Sequence, residues 1–165
     1  MASTAITPLF EPVEIDGRVL CDAGYVNNTP VDVAFAELPT CSTLCIVMEP
    51  FCLAAPLPKS LDAALDRSQD LVFASPTRKS IEALQREYAL RAHHGEPVPP
   101  IVILHVAYRS GPDELAVKAL DFSPSSIRDR WEAGNRDTHA ALERLAQTTV
   151  EPGLQYIRIR AEAQT

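Results

Sequence analysis

Two continuous apolar runs, TLCIVM at 43–48 and IVILHVAY at 101–108, constrain this chain more than anything else in it. Neither alternates and both are rich in β-branched residues, the pattern of strands covered on both faces. Between them lies a long stretch of helical spacing. Strand, helix and strand in that order predict an α/β fold with a mostly parallel sheet flanked by helices, and not a sandwich.

In the helical stretch, Leu61, Leu65, Ser68 and Val72 share one face, and Ile81, Leu84 and Tyr88 share another. Pro76 lies between them. A proline inside a helix removes a hydrogen bond and clashes with the preceding turn, so two helices are expected, the second starting at Ser75-Pro76. Upstream, Val13–Ile15 and Arg18–Cys21 flank Asp16-Gly17, a strong hairpin signal. Asn28-Thr29-Pro30 offers an N-cap side chain and a proline at the first helical position, predicting a helix from Val31 to Leu38. GEPVPP (95–100) reads as a loop and SGPDE (110–114) as a turn. After Ser123-Pro124, the spacing of Ile127, Trp131, Thr138, Leu142 and Leu145 predicts a last amphipathic helix.

The 165 residues, 46% of them apolar, suffice for one domain with a core. With 22 acidic against 15 basic residues, the formal charge of −7 repels phosphate backbones, which argues against a nucleic-acid partner. The most apolar stretch, Leu44 to Pro58, is broken by Glu49 and three prolines. It falls short of the ~20 residues of a membrane span, so no transmembrane segment is expected. MASTAITPLF lacks a basic, then apolar leader pattern, and the expected location is cytoplasmic, at most peripheral to a membrane. Cys21, Cys41, Cys45 and Cys52 form no CxxC pair and have no histidine at zinc spacing. They read as buried, reduced thiols, with no metal and no cofactor expected.

The candidate site is CDAGYVNNTP (21–30). Asp22 ends the apolar run Val19, Leu20, Cys21, followed by Ala23, Gly24, Asn27 and Asn28. A carboxylate just past the C-terminal end of a buried strand is where α/β folds place ligand and catalytic groups. The other reading is an aspartate that caps a turn by accepting backbone N–H groups. Position alone leaves both open. His93-His94 reads as a solvated pair at a helix end, His105 as a satisfied core histidine, Trp131 as core or a docking anchor, and Arg128, Asp129 and Arg130 as a solvated charge run.

The run ASTAITPLFEPVEIDGRVLCDAGYVNNTPVD resembles the second half of a patatin-like phospholipase domain, a family of serine acyl hydrolases with a Ser-Asp dyad. The resemblance rests on a small-residue segment leading to Phe-Pro-Pro, a hairpin over Asp-Gly, and an Asp-Gly-Gly or Asp-Gly-Ala followed by an Asn-rich turn and proline. PLPKSLDAALDRSQDLVFAS and ALDFSPSSIRDRWEAGNRDTHAAL resemble the C-terminal portion of a bacterial patatin subgroup with an extra domain of unknown function. Three positions depart from the pattern: Thr7, Glu11, and Ala23, where any requirement for positive φ would strain a side chain.

The resemblance implies a partial patatin-like three-layer fold, with residues 1–58 the C-terminal part of the phospholipase domain and 59–165 a subgroup-specific segment. It implies that Asp22 is the dyad aspartate, acting as general base on a serine without an intervening histidine. The family's Gly-x-Ser-x-Gly nucleophile and Gly-rich oxyanion loop lie upstream of that aspartate and have no counterpart among these 165 residues. The expected function is thus that of a piece of a lipid acyl hydrolase, cleaving carboxylic esters of lipids and inactive alone. The expected strand ending at Asp22 lies inside the sheet, so loss of an upstream half would expose Val19, Cys21 and Leu44–Met48 and favour self-association. The alternative is a non-catalytic remnant or protein-interaction module.

Overall fold

The structure, a computed structural model, describes residues 2–108 and 121–159, so the turn expected at 110–114 lies outside them. Strands β1 (Val13–Ile15) and β2 (Arg18–Leu20) form the expected hairpin. Asp16 and Gly17 adopt φ of 52° and 72°, the left-handed pair that matches the twist of a two-residue hairpin. This ribbon is a sheet of its own, however, and Val19 is 73% exposed. Among the described residues, the strand leading to Asp22 is therefore not inside the main sheet: three residues paired to their own hairpin partner bury little.

Two single-turn helices follow, α1 (Gly24–Asn27) and α2 (Val31–Ala34). The second is shorter than the predicted Val31–Leu38, Pro30 is its N-cap rather than its first residue, and no side chain caps it. Burial of Val31 and Phe35 in the core, not capping, holds it in place.

The main layers are β3 (Thr43–Glu49), α3 (Leu61–His93), β4 (Pro100–Ala107), α4 (Pro124–Ala146) and β5 (Gly153–Ile159). The strands form a three-stranded parallel sheet in the order β3-β4-β5. On one face, Ile81, Leu84 and Tyr88 of α3 pack on Val47, Ile101 and Ile103. On the other, Ala141 and Leu145 of α4 pack on Leu104, Val106, Ile157 and Ile159. The result is the three-layer α/β arrangement expected from the sequence. Because the helices lie on opposite faces while the strand order advances steadily, the two crossovers have opposite hands, and one departs from the usual right-handed rule.

Several expectations are corrected. Of the two apolar runs, β4 alone is covered on both faces; on β3 the side chains of Leu44, Ile46 and Met48 are about half exposed, because α4 sits over β4 and β5. α3 is one helix of 33 residues running through Pro76. Its buried stripe, Phe73, Ala74, Thr77, Ile81, Leu84 and Tyr88, keeps helical phase across the proline. Burying several such side chains, at about 1.5–3 kcal/mol each for the large ones, outweighs a proline cost of ~3 kcal/mol. The face predicted before Pro76 is not buried: Leu61 and Leu65 are exposed at 76% and 59%.

On α4, Ala133, Asp137 and Ala141 face inward, and Ile127, Trp131 and Leu142 are exposed, so Trp131 is not core. Arg130 is more than a solvated charge, since it donates to the Asp121 carbonyl at 3.0 Å. β5 is absent from the sequence reading altogether. Of the four thiols, all free, only Cys52 is fully buried, while Cys21 and Cys41 are exposed.

Candidate functional site

The hairpin delivers Asp22 to a tight turn. Its N–H donates to the Ala5 carbonyl at 2.9 Å, and its Oδ1 accepts the Gly24 N–H at 2.7 Å. The turn-capping role is thus real, and the carboxylate is left partly exposed. Ala23 has φ −88° and ψ 2°, open to any L-residue, so the departure from glycine there carries no strain. Gly24 is the constrained position. A Cβ on it would lie 2.7 Å from Asp22 Oδ1 and 3.0 Å from Phe73 Cε1. Downstream, Asn27 Nδ2 donates to Asp32 Oδ1 at 2.7 Å, tying α1 to α2. Asn28 follows as the C-cap of α1.

Aromatic stacking fixes where this turn sits. Phe73 of α3 stacks on Phe51 with ring centroids 4.6 Å apart, and Tyr25 lies 5.1 Å from Phe73. Arg67 donates to the carbonyls of Cys52 and Leu53, holding the segment after β3 against α3. Phe51 is two residues past the end of β3, so Asp22 and Gly24 stand at the C-terminal rim of the parallel sheet, reached through packing rather than through a sheet strand.

A second polar group lies under α3. His105 Nε2 is 2.9 Å from Glu49 Oε2, and His105 Nδ1 is 2.7 Å from the Tyr156 hydroxyl. Glu49 and His105 are both 3% exposed. The chain Glu49–His105–Tyr156 crosses all three strands, and burial pushes the Tyr156 phenol up from its ordinary value. His105 is thus the satisfied core histidine that the sequence suggests. Its partners were missed: a histidine inside an apolar strand demands buried partners, and Glu49 at the end of the other run was the available signal, but nothing local pointed to Tyr156.

A serine and an aspartate also meet at the start of α4, where Ser126 Oγ donates to Asp121 Oδ2 at 2.6 Å and the Ser123 N–H donates to Asp121 Oδ1 at 2.9 Å. These bonds hold the Asp121 carboxyl below its usual range. That makes it a weaker base, and the arrangement is a helix-start knot rather than a catalytic pair. His93 and His94 stand exposed at the end of α3, ring centroids 5.6 Å apart. Among the described residues, no group of three His, Cys, Asp or Glu side chains is placed to hold a metal ion, and no helix is long and apolar enough to cross a membrane.

A family model for patatin phospholipases matches residues 82–153. The match covers 72 of the 165 residues. The matched span begins in the second half of α3, takes in β4 and α4, and stops at the first residue of β5. It contains His105 but not Glu49, Tyr156 or Asp22. A search of curated proteins finds no match to the chain.

Proposed function

We propose that the chain is the C-terminal part of a patatin-like lipid acyl hydrolase and that Asp22 is the aspartate of its Ser-Asp dyad. The observation that carries the reading is a partly exposed carboxylate at the C-terminal rim of a parallel sheet, with one oxygen fixed 2.7 Å from the Gly24 N–H. A carboxylate held by one oxygen keeps the other to accept a serine hydroxyl proton. The backbone bond also fixes the carboxylate's direction, as a base without a histidine requires. The downstream patatin match supports the parent family, and the motif resemblance supports the assignment of Asp22.

In this reading residues 1–58 carry the end of the hydrolase domain and 59–165 the subgroup segment. The division is one of kinship rather than of folding, since β3 pairs with β4 across it at seven positions. The substrate is a lipid carboxylic ester, and the nucleophile and oxyanion donors come from a part of the family's domain that has no counterpart in these residues. A second reading, an interaction module, is favoured by the uncovered side chains of Leu44, Ile46, Met48 and Trp131.

Hydrolysis of p-nitrophenyl butyrate separates the two. The chain alone is expected to give no turnover above buffer. Joined to a patatin N-terminal half bearing Gly-x-Ser-x-Gly, it is expected to hydrolyse the ester, and Asp22→Asn is expected to remove the activity with the melt unchanged. General-base loss costs about 10²–10⁴-fold. An Asp22→Asn enzyme that keeps more than about a tenth of the rate would reduce Asp22 to a turn residue.

A further inference from the structure

At the β5 edge, the space between α3 and the sheet opens into a cleft of about 360 Å³ lined by Arg78, Ile81, Glu82, Gln85, Tyr156 and Arg158. Two guanidiniums against one carboxylate leave the lining net positive in a chain whose formal charge is −7. Arg78 Nε lies 3.4 Å from Glu82 Oε1, so the Glu82 charge is answered within α3. The Arg158 charge is the one left over in the lining.

The direction of the Tyr156 hydroxyl proton decides what else the cleft offers. The His105 ring meets that hydroxyl in one of two tautomers: with a proton on Nδ1 it donates to the Tyr156 oxygen across the 2.7 Å contact and leaves the Tyr156 O–H for the cleft, and with Nδ1 bare it accepts that O–H instead. Burial also keeps the phenol protonated. With Nδ1 protonated, Tyr156 has a hydroxyl donor, held from behind by His105, to offer a cleft whose lining it shares with two arginines.

We propose that this cleft is an oxyanion site, taking a carboxylate or phosphate group on Arg158 and Arg78 with the Tyr156 hydroxyl as a third donor. Planar guanidiniums suit both kinds of anion. The volume leaves room for a few carbon atoms beyond the charged group, with Ile81 as an apolar wall and the Gln85 amide beside it. The site lies apart from Asp22 and does not depend on its role.

Inorganic phosphate and butyrate, each titrated into the full isotope-labelled chain at constant ionic strength, test the proposal by NMR. Saturable amide shifts are expected at residues 78–85 and 155–158 for at least one anion, with Kd in the low millimolar range or below. Preference for phosphate identifies a phosphoryl ligand, and preference for butyrate a carboxylate. Arg158→Gln is expected to weaken binding about tenfold, the loss of one charge-assisted contact, and Tyr156→Phe severalfold. Arg136→Gln, remote on α4, should leave binding unchanged. If Tyr156→Phe does not fold, Arg78→Gln, on an exposed side chain, replaces it. Shifts that do not saturate with either anion, or a Kd unmoved by Arg158→Gln and by Tyr156→Phe or Arg78→Gln, would overturn the proposal.

Discussion

At the scale of single residues, the turn at Asp22 is built on Gly24, and for space rather than for backbone freedom. A methyl group there would meet the Asp22 carboxylate oxygen at 2.7 Å and the Phe73 ring at 3.0 Å. Gly24→Ala is expected to destabilise the chain by about 1–3 kcal/mol, the usual cost of overpacking, as measured by urea unfolding. An unchanged midpoint would mean that the turn is loose enough to reset. The aspartate's capping habit was legible in CDAGYVNNTP, because Asp and Asn bond to their own backbone. The need for glycine at 24 rather than 23 was not, since it comes from how the turn closes on the Asp22 carboxylate and on Phe73, forty-nine residues downstream. The same limit hid the partners of His105. A buried imidazole announces that partners exist, but Glu49 and Tyr156 are brought to it only by strand pairing.

At the scale of elements, both apolar runs were legible as parallel strands because they are continuous. How much of each is covered was not, because that depends on where α4 lies. β5 escaped notice because Leu154, Tyr156, Ile157 and Ile159 neither alternate cleanly nor form an unbroken run. Pro76 shows local propensity overridden by packing: the stripe from Phe73 to Tyr88 binds the sheet and the residues after β3 on both sides of the proline. Pro76→Ala restores a backbone N–H to the helix and is expected to raise stability by about 1–3 kcal/mol, up to the full proline cost, read as a higher thermal midpoint. A drop instead would show that the core is fitted to a bend the proline imposes.

At the scale of the molecule, β3 is an edge strand among the described residues, with a half-exposed row of Leu44, Ile46 and Met48. Natural sheets rarely leave such an edge without charges to guard it. Concentration-dependent association is expected in sedimentation experiments, and Ile46→Lys, which puts a charge in the middle of the row, is expected to reduce it. A wild-type monomer at all concentrations would set this expectation aside. The great length of α3 has a different consequence. From Phe73, where the helix meets Phe51 and Gly24, twelve residues run back to Leu61, about 18 Å of rod beyond the sheet, braced at Arg67. Such a rod is a lever with its bearing at Phe73. A tilt of ~10° about that bearing sweeps Leu61 through roughly 3 Å, while the Asp22 turn, seated at the pivot, stays almost still. Whatever pushes on the far end therefore strains Pro76, the joint with a missing backbone hydrogen bond, before it moves the carboxylate.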